Sequence, residues 1–340
     1  MKKFVFLLSI GFVTSFSLAG CGNEAISSSS GEVSDNYEVK WISPTGSPAL
    51  AFFDQGDNSN WVSTSNPSQV APFLKTDFYD AIVFDGMNGL NIIKNSKEGQ
   101  SPYKLAEWIT GGTFYLVSTK HKANDSFNTN STVRSFVENG NASKAFRKLS
   151  KDVWKWNLPN ENVVYEEAGV AKVRETIESN PEANDYYVIS EPILTSLSAS
   201  LKKRNINLNV IYDLQDEWKK AKLGESIPAG ALFINTNHYS LHKEKIDSFI
   251  AKTKQAKEKV ITKPEEVVEE LNRYNGIDGQ DNNKLKKRFG LETAEIVLSL
   301  QKDGRNGFNL IKPGNEDSSE FANNFAKALG EEEFEENLFL

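Results

Sequence analysis

Residues 43–53 read SPTGSPALAFF, a polar turn with one glycine and two prolines set between two apolar stretches. Ahead of it, YEVKWIS (37–43) alternates in polarity and is rich in β-formers, as a strand requires. Behind it, PALAFFDQ (48–55) suits a short helix. In the turn, Ser47 is a suitable N-cap and Pro48 fits the first helical position. The next helical N–H groups would then point out of the helix start, toward an anion or a dipolar oxygen. Gly46 lets backbone approach a ligand closely. Taken alone, the stretch is either a helix start or one wall of a binding site.

The same order of strand, glycine turn and helix recurs along the chain. YDAIVFD (79–85) is a buried strand that runs into Gly86, and KLAEWITGGTFYLVS (104–118) reads as two strands meeting at Gly111 and Gly112. VVYEEAG (163–169) is a strand and turn before the helix VAKVRETIES. DYYVIS (185–190) precedes EPILTSLSASLKKR, whose acid and proline suit a first helical turn. LNVIYDL (208–214) and GALFINT (230–236) are strands, and the chain beyond 237 is mostly helical. Between 120 and 160 it is polar, with an amphipathic pattern in ASKAFRKLSKDVW. Repeated βα units without an internal repeat predict an α/β fold of mainly parallel sheets flanked by helices, in two lobes.

Polar turns gather at the predicted strand ends: SPTGS (43–47), DGMNG (85–89), TGGT (110–113), EEAG (166–169) and SEP (190–192). In open α/β sheets ligands bind outside the carboxyl ends of the strands, so these turns together predict a binding cleft. Trp41, Phe84, Phe114 and Tyr115 lie near it in sequence, either as core residues or as surfaces on which a planar ring could stack.

The amino terminus has a different character. Lys2 and Lys3 precede FVFLLSIGFV, an apolar run too short to span a bilayer as a mature helix, and LAGC follows at 18–21. This pattern describes an export signal, and LAGC resembles a bacterial lipobox in which Cys21 becomes the lipidated first residue. Cys21 is the only cysteine, so it has no partner for an internal disulfide. Residues 1–20 are thus expected to be a removed signal peptide. Residues 21–36, small, polar and free of aromatics, read as a flexible tether. The full chain carries a net charge of −7, which becomes −9 when the two lysines of the signal leave. Such a balance, without a basic stripe, excludes nucleic acid as an expected partner.

Enzyme signatures are missing. The sequence has no G-x-S-x-G elbow, no P-loop and no G-x-G-x-x-G after a strand, and Glu166 and Glu167 are adjacent, so on a strand they face opposite ways. His238 and His242 have the i, i+4 spacing of a metal pair, but His121 is the only other histidine and a surface helix start accounts for them. DGQDNN (278–283) lacks the alternating acids and terminal Glu of a calcium loop. No metal or cofactor is expected.

At its glycine turns the chain resembles the bacterial ABC-transporter substrate-binding lipoproteins of the nitrate/taurine/thiamine-precursor group, type II periplasmic binding proteins. The matching stretches are SPTGSPALAFF, YDAIVFDGMNGLNIIKNS, YKLAEWITGGTFYLVS, VAKVRETIESNPEANDYYVISEPILTSL and LQDEWKKAKLGESIPAGALFINTNHYS, with GFNLI (307–311) and FEENLFL at the end. The resemblance implies two α/β lobes joined by two hinge crossings, near Leu116 to Thr119 and Leu232 to Asn235. Lobe one would comprise 37–118 plus 235–340, and lobe two 119–234. It also implies a ligand site. Lobe one would contribute Ser43, Thr45, Gly46, Ser47, Asp85, Gly86, Met87, Asn88 and Asn309, with Thr110 and Thr113 near the hinge. Lobe two would contribute Glu167, Ala168, Gly169, Ser190 and Glu191. The sequence departs from the family at FNTNSTVRSFVENG, where an L-x-G-K stretch is common, and at Asp85-Gly86, where proline is frequent.

The implied function is capture of a small organic or anionic solute, a pyrimidine or thiamine precursor or a sulfonate among them. The solute would pass to an ABC permease and its ATPase subunit. The protein would act as a monomer, lipid-anchored at the extracytoplasmic face of the cell membrane. A lipoprotein sensor or adhesin that uses the fold without transport is the alternative.

Overall fold

The computed structural model describes residues 36–55, 60–97, 101–274, 282–311 and 318–340. Cys21, the signal segment and nearly all of the tether lie outside these residues, as does most of DGQDNN.

The chain runs β1 (Trp41–Pro44), β2 (Trp61–Thr64), β3 (Ala81–Asp85), α1 (Gly86–Lys94), β4 (Tyr103–Trp108), β5 (Phe114–Ser118), β6 (Val133–Ser135), α2 (Asn141–Lys148), β7 (Val163–Tyr165) and α3 (Val170–Ser179). It continues with β8 (Tyr186–Ser190), α4 (Ile193–Lys202), β9 (Asn209–Asp213), α5 (Leu214–Lys220), β10 (Gly230–Asn235), α6 (Thr236–Leu241) and α7 (Lys243–Thr262). It ends with α8 (Pro264–Tyr274), α9 (Asn282–Phe289), α10 (Ile296–Lys302) and α11 (Ser318–Leu329).

Two five-stranded sheets result, in the orders β2-β1-β3-β10-β4 and β7-β6-β8-β5-β9. In each, one strand opposes the other four: β10 is antiparallel to β3 and β4, and β5 is antiparallel to β8 and β9. The reversed strand is in both cases the one that enters directly from the other lobe. The sheets are therefore mixed, with a predominant strand sense.

The central strands are apolar runs buried on both faces, as AIVFD in β3 and FYLVS in β5 predict. Their alternation sorts side chains between layers. Ile82 and Phe84 of β3 enter one core cluster, and Ala81 and Val83 enter another with Trp41, Phe52, Trp61 and Phe249. In β8, Tyr186 and Val188 face that first cluster, and Tyr187 and Ile189 face α3 and α4 through Val173, Ile177 and Leu197. The first cluster is continuous from one sheet to the other. Part of the join is α11, whose Phe321 meets Trp108 edge-on at 5.2 Å and whose Phe325 lies 5.1 Å from Trp218.

Between sheets the chain crosses at 109–113 and at 221–229, so both crossings lie N-terminal to the positions read from the sequence. Phe114–Ser118 is a full strand of the second sheet, and Gly230–Asn235 a full strand of the first. Two apolar runs on either side of a hinge look alike in sequence whichever lobe they serve. The crossings pair with each other, through Gly112 N to Ile227 O at 2.7 Å and Ala229 N to Thr110 O at 3.0 Å. Gly111 donates to Gly307 O at 2.9 Å, and a Cβ there would come within 2.4 Å of Leu310 Cβ. Gly111 is thus set by close approach of the carboxyl-terminal segment, and Gly112 by the Phe114 ring, 2.3 Å from where its Cβ would stand.

Candidate ligand-binding cleft

The carboxyl ends of β1 and β3 face those of β6, β7 and β8 across a cavity of about 1260 Å3. Of the residues expected there, Thr45, Gly46, Ser47, Asp85, Asn88, Thr110, Thr113, Glu167, Gly169, Ser190 and Glu191 line it. Five do not. Ser43 is buried beneath the wall, where its Oγ accepts from Trp61 Nε1 at 2.9 Å. Gly86 is packed on the Trp108 ring, and Met87 points into the core. Ala168 stands outside the wall, and Asn309 accepts no cavity position but joins Gln301 and Asn306. In a helix that starts at Gly86, consecutive residues point about 100° apart, so a turn read as uniformly ligand-facing contributes only some of its members.

Phe84 and Phe114 also line the cavity, joined by Phe136, which meets Phe114 edge-on at 5.9 Å. Trp41 instead stacks on Trp61 in the core, and Tyr115 faces the α3 and α4 side of its sheet.

At the opening stretch, Gly46 has φ +97°, a left-handed value that favours glycine. A Cβ there would make ordinary contact with Pro192 of lobe two at 3.6 Å, so the backbone conformation and not the space calls for glycine. Ser47 corrects the expectation made for it. It opens a 3₁₀ helix (Ser47–Gln55), and the first turn closes through the backbone, Ala49 N to Gly46 O at 3.0 Å. Ser47 Oγ caps nothing. It is buried and has no hydrogen-bond partner in the protein.

Asp85 joins the lobes. Its Oδ1 accepts from Asn88 N at 2.9 Å, capping α1, and its Oδ2 accepts from Asn141 N at 3.0 Å, at the start of α2 in lobe two. One carboxylate thus serves two helix N-termini that face each other. Desolvation by the protein around it pushes the carboxyl up to about 6, against the two backbone bonds and Lys144, which favour the charged form. Asn141 was not expected from sequence; it follows a three-residue strand, β6, too short to read against its polar surroundings. Its Nδ2 donates to Pro228 O at 2.7 Å, and its Oδ1 is buried and unpartnered.

Glu191 lines the wall but is bonded within the protein. It accepts from Thr195 N and Thr195 Oγ1, both at 3.0 Å, and pairs with Arg305 Nη1 of lobe one at 2.8 Å. Burial raises its pKa, opposed by the Thr195 backbone bond and Arg305. At the rim, Arg174 of α3 reaches Glu292 of lobe one at 3.1 Å, and Lys286 of α9 reaches the same carboxylate at 2.9 Å. Burial works to raise Glu292, but these two cations hold it below its ordinary value. Arg288 lies over the Trp61 ring at 4.7 Å. This basic rim was also missed, because NNKLKKRF reads as a solvated helix face. The lobes are thus closed on each other through contacts at floor, wall and rim.

The histidines form no metal group. His238 Nδ1 is 2.5 Å from Asp80 Oδ1, and His242 stacks on Tyr37 at 3.5 Å. No group of three or more His, Cys, Asp or Glu placed to hold a metal occurs among the described residues. Nor is any helix among them long and apolar enough to cross a membrane.

Neither a family model nor a curated protein sequence matches the chain. Solved structures match its fold. An ABC transporter structure from Parabacteroides distasonis shares 16% identity over 89% of this chain and 98% of that one, with a TM-score of 0.54. The periplasmic aliphatic sulphonate binding protein of Escherichia coli shares 14% over 86% and 91%, with a TM-score of 0.54. The periplasmic nitrate-binding protein of Synechocystis shares 9% over 76% and 69%, with a TM-score of 0.53. The chain therefore has the two-lobed periplasmic-binding-protein fold.

Proposed function

We propose that this protein is the extracytoplasmic solute-binding component of an ABC importer, held to the membrane by a lipid on Cys21. The observation that carries the reading is the cavity of about 1260 Å3, walled by polar turns from both lobes and lined in part by Phe84, Phe114 and Phe136. A cleft of this build takes up a small molecule without covalent chemistry, and contacts to both lobes favour the closed form. Similar folds in proteins described as sulphonate- and nitrate-binding support the general role. The solute is a small organic molecule, and delivery is to a permease and ATPase pair.

A thermal-shift screen of the purified protein against pyrimidines, sulphonates, nitrate, amino acids and sugars tests the reading. A solute raises the melting temperature with concentration. If none does so, the receptor reading fails. The anchor is tested separately. Cys21→Ala moves the protein from the membrane fraction to the soluble fraction, and tight association of the variant with membranes would remove the lipid from the account.

A further inference from the structure

Both chain crossings leave from a tryptophan. Trp108 is the last residue of β4, and the first crossing follows it directly. Trp218 lies in α5, and Leu223 of the second crossing donates its N–H to Trp218 O at 3.1 Å. Both indoles are buried, and one helix covers both. Phe321 of α11 meets Trp108 edge-on at 5.2 Å, and Phe325 lies 5.1 Å from Trp218. Spaced i, i+4, the two phenyl rings share one face of the helix. Among the described residues that line the cavity, none belongs to α11.

The helix is fastened to the two lobes in different ways. Toward lobe one, Trp108 Nε1 donates to Ser318 O at 3.0 Å. The segment after α11 is held there too, with Lys94 on Glu332 at 3.0 Å and Leu340 N donating to Leu105 O at 2.9 Å. That segment is tied back to the helix by two bonds between Asn323 and Phe334, at 3.2 and 2.7 Å. Toward lobe two, α11 and its segment reach through Phe325 on Trp218 and through Glu331, 2.8 Å from Lys144 Nζ of α2.

We infer that α11 is a strap across the two crossings, and that Phe325 and Glu331 are positioning residues for solute binding. They hold lobe two in the closed arrangement from outside the cavity and touch no solute. When the lobes rotate apart, the strap stays with lobe one, and its contacts to Trp218 and Lys144 are the ones that part. A contact made in the closed form and lost in the open one shifts the equilibrium by its own free energy, and the affinity of a solute held by both lobes shifts with it. The effect on affinity rests on the receptor reading, whereas the effect on closing is a property of the free protein. Phe321, on the same helix face, packs on Trp108 of lobe one and so serves the fold instead of closing.

Spin labels test this without any solute. They are carried at Ser65→Cys of lobe one and Glu175→Cys of lobe two, both exposed positions, in the full-length Cys21→Ala chain. Pulsed dipolar spectroscopy reads the distance between them, short in closed molecules and longer in open ones. Phe325→Ala lowers the ratio of closed to open molecules roughly two- to tenfold, the contribution of an aromatic pair. Glu331→Gln, at an exposed carboxylate, lowers it about twofold and carries the test where Phe325→Ala does not fold. Phe321→Ala lowers the melting temperature and leaves the ratio unchanged, a separation that a merely structural role for both rings would not give. An unchanged ratio in Phe325→Ala, or in Glu331→Gln where the former does not fold, would overturn the inference. So would an equal shift in Phe321→Ala, or a free wild type without the short distance. A solute screen that fails beside shifted ratios would overturn the receptor reading and leave the strap standing.

Discussion

Asp85 makes stability depend on pH in a direction opposite to that of most bridging carboxylates. A carboxylate held by cations is depressed, and it stabilises the fold at neutral pH. Asp85 is instead raised, from 3.8 to about 6, because desolvation outweighs the bonds from Asn141 and Asn88 and the attraction of Lys144. A raised acid binds its proton more tightly in the folded state than in the unfolded one. Its stabilising effect is therefore fully present below about pH 4 and is lost as pH rises through about 6. Linkage between these two values gives about 2 kcal/mol more stability at pH 4.5 than at pH 8 from this group alone. That is an upper value, because Asp85 keeps an opening to the cavity. Asp85→Asn removes the titration and keeps the shape. The assay is urea denaturation of wild type and variant at both pH values, comparing the difference between the proteins so that other titrating groups cancel. The wild type loses about 1–2 kcal/mol relative to the variant on going from pH 4.5 to pH 8. A difference that is the same at the two pH values, whatever its size, refutes the reasoning.

Two further outcomes follow from contacts already described. Arg305→Met removes the cation from Glu191, whose carboxylate still accepts two bonds from Thr195. A charge-assisted bond contributes about 1.5–3 kcal/mol, so affinity for any cleft ligand falls at least roughly tenfold by calorimetry, and small-angle scattering reports a larger radius of gyration. A lowered melting temperature with unchanged affinity and radius would make the pair a fold contact only. Gly86→Ala places a methyl 2.1 Å from the Trp108 ring and 3.0 Å from Ala231 Cβ, so denaturation shows a loss of about 1–3 kcal/mol. An unchanged midpoint would mean that Trp108 moves aside freely.

What the sequence made legible depended on length and periodicity. β3, β8 and β10 are each five or six residues of apolar run closed by a polar turn, and helix α3 was bounded at Val170–Ser179 as read. β2 and β6, at four and three residues, were not recognised, because WVST and VRS are too short for a period to register. Most of the cleft wall was legible because it consists of strand-ending turns. The errors within it have one cause. Sequence marks where a turn is but not which way each residue points, so Met87 and Ser43 were assigned to a cavity they turn away from. Asn141 and the α9 rim were lost for a different reason. They come from helix starts and faces whose partners lie far away in sequence, Asp85 being 56 residues from Asn141.

The reversed strands explain why the cavity wall and the contacts between the lobes share residues. Because β5 and β10 enter their sheets from the crossings, both begin at the cleft, with Phe114 and Gly230 in its wall. The crossing segments are therefore also the cavity floor. Pro228, in the second crossing, holds the Asn141 amide, and Ala229 O receives Gly86 N at the head of α1. A rotation of one lobe about these segments would part Asn141 N from Asp85 and Arg305 from Glu191 together, because each pair spans the two lobes. Where the open form predominates in the free protein, closing free energy supplied by Glu191–Arg305 or Asp85–Asn141 lowers the measured dissociation constant of a solute held by both lobes.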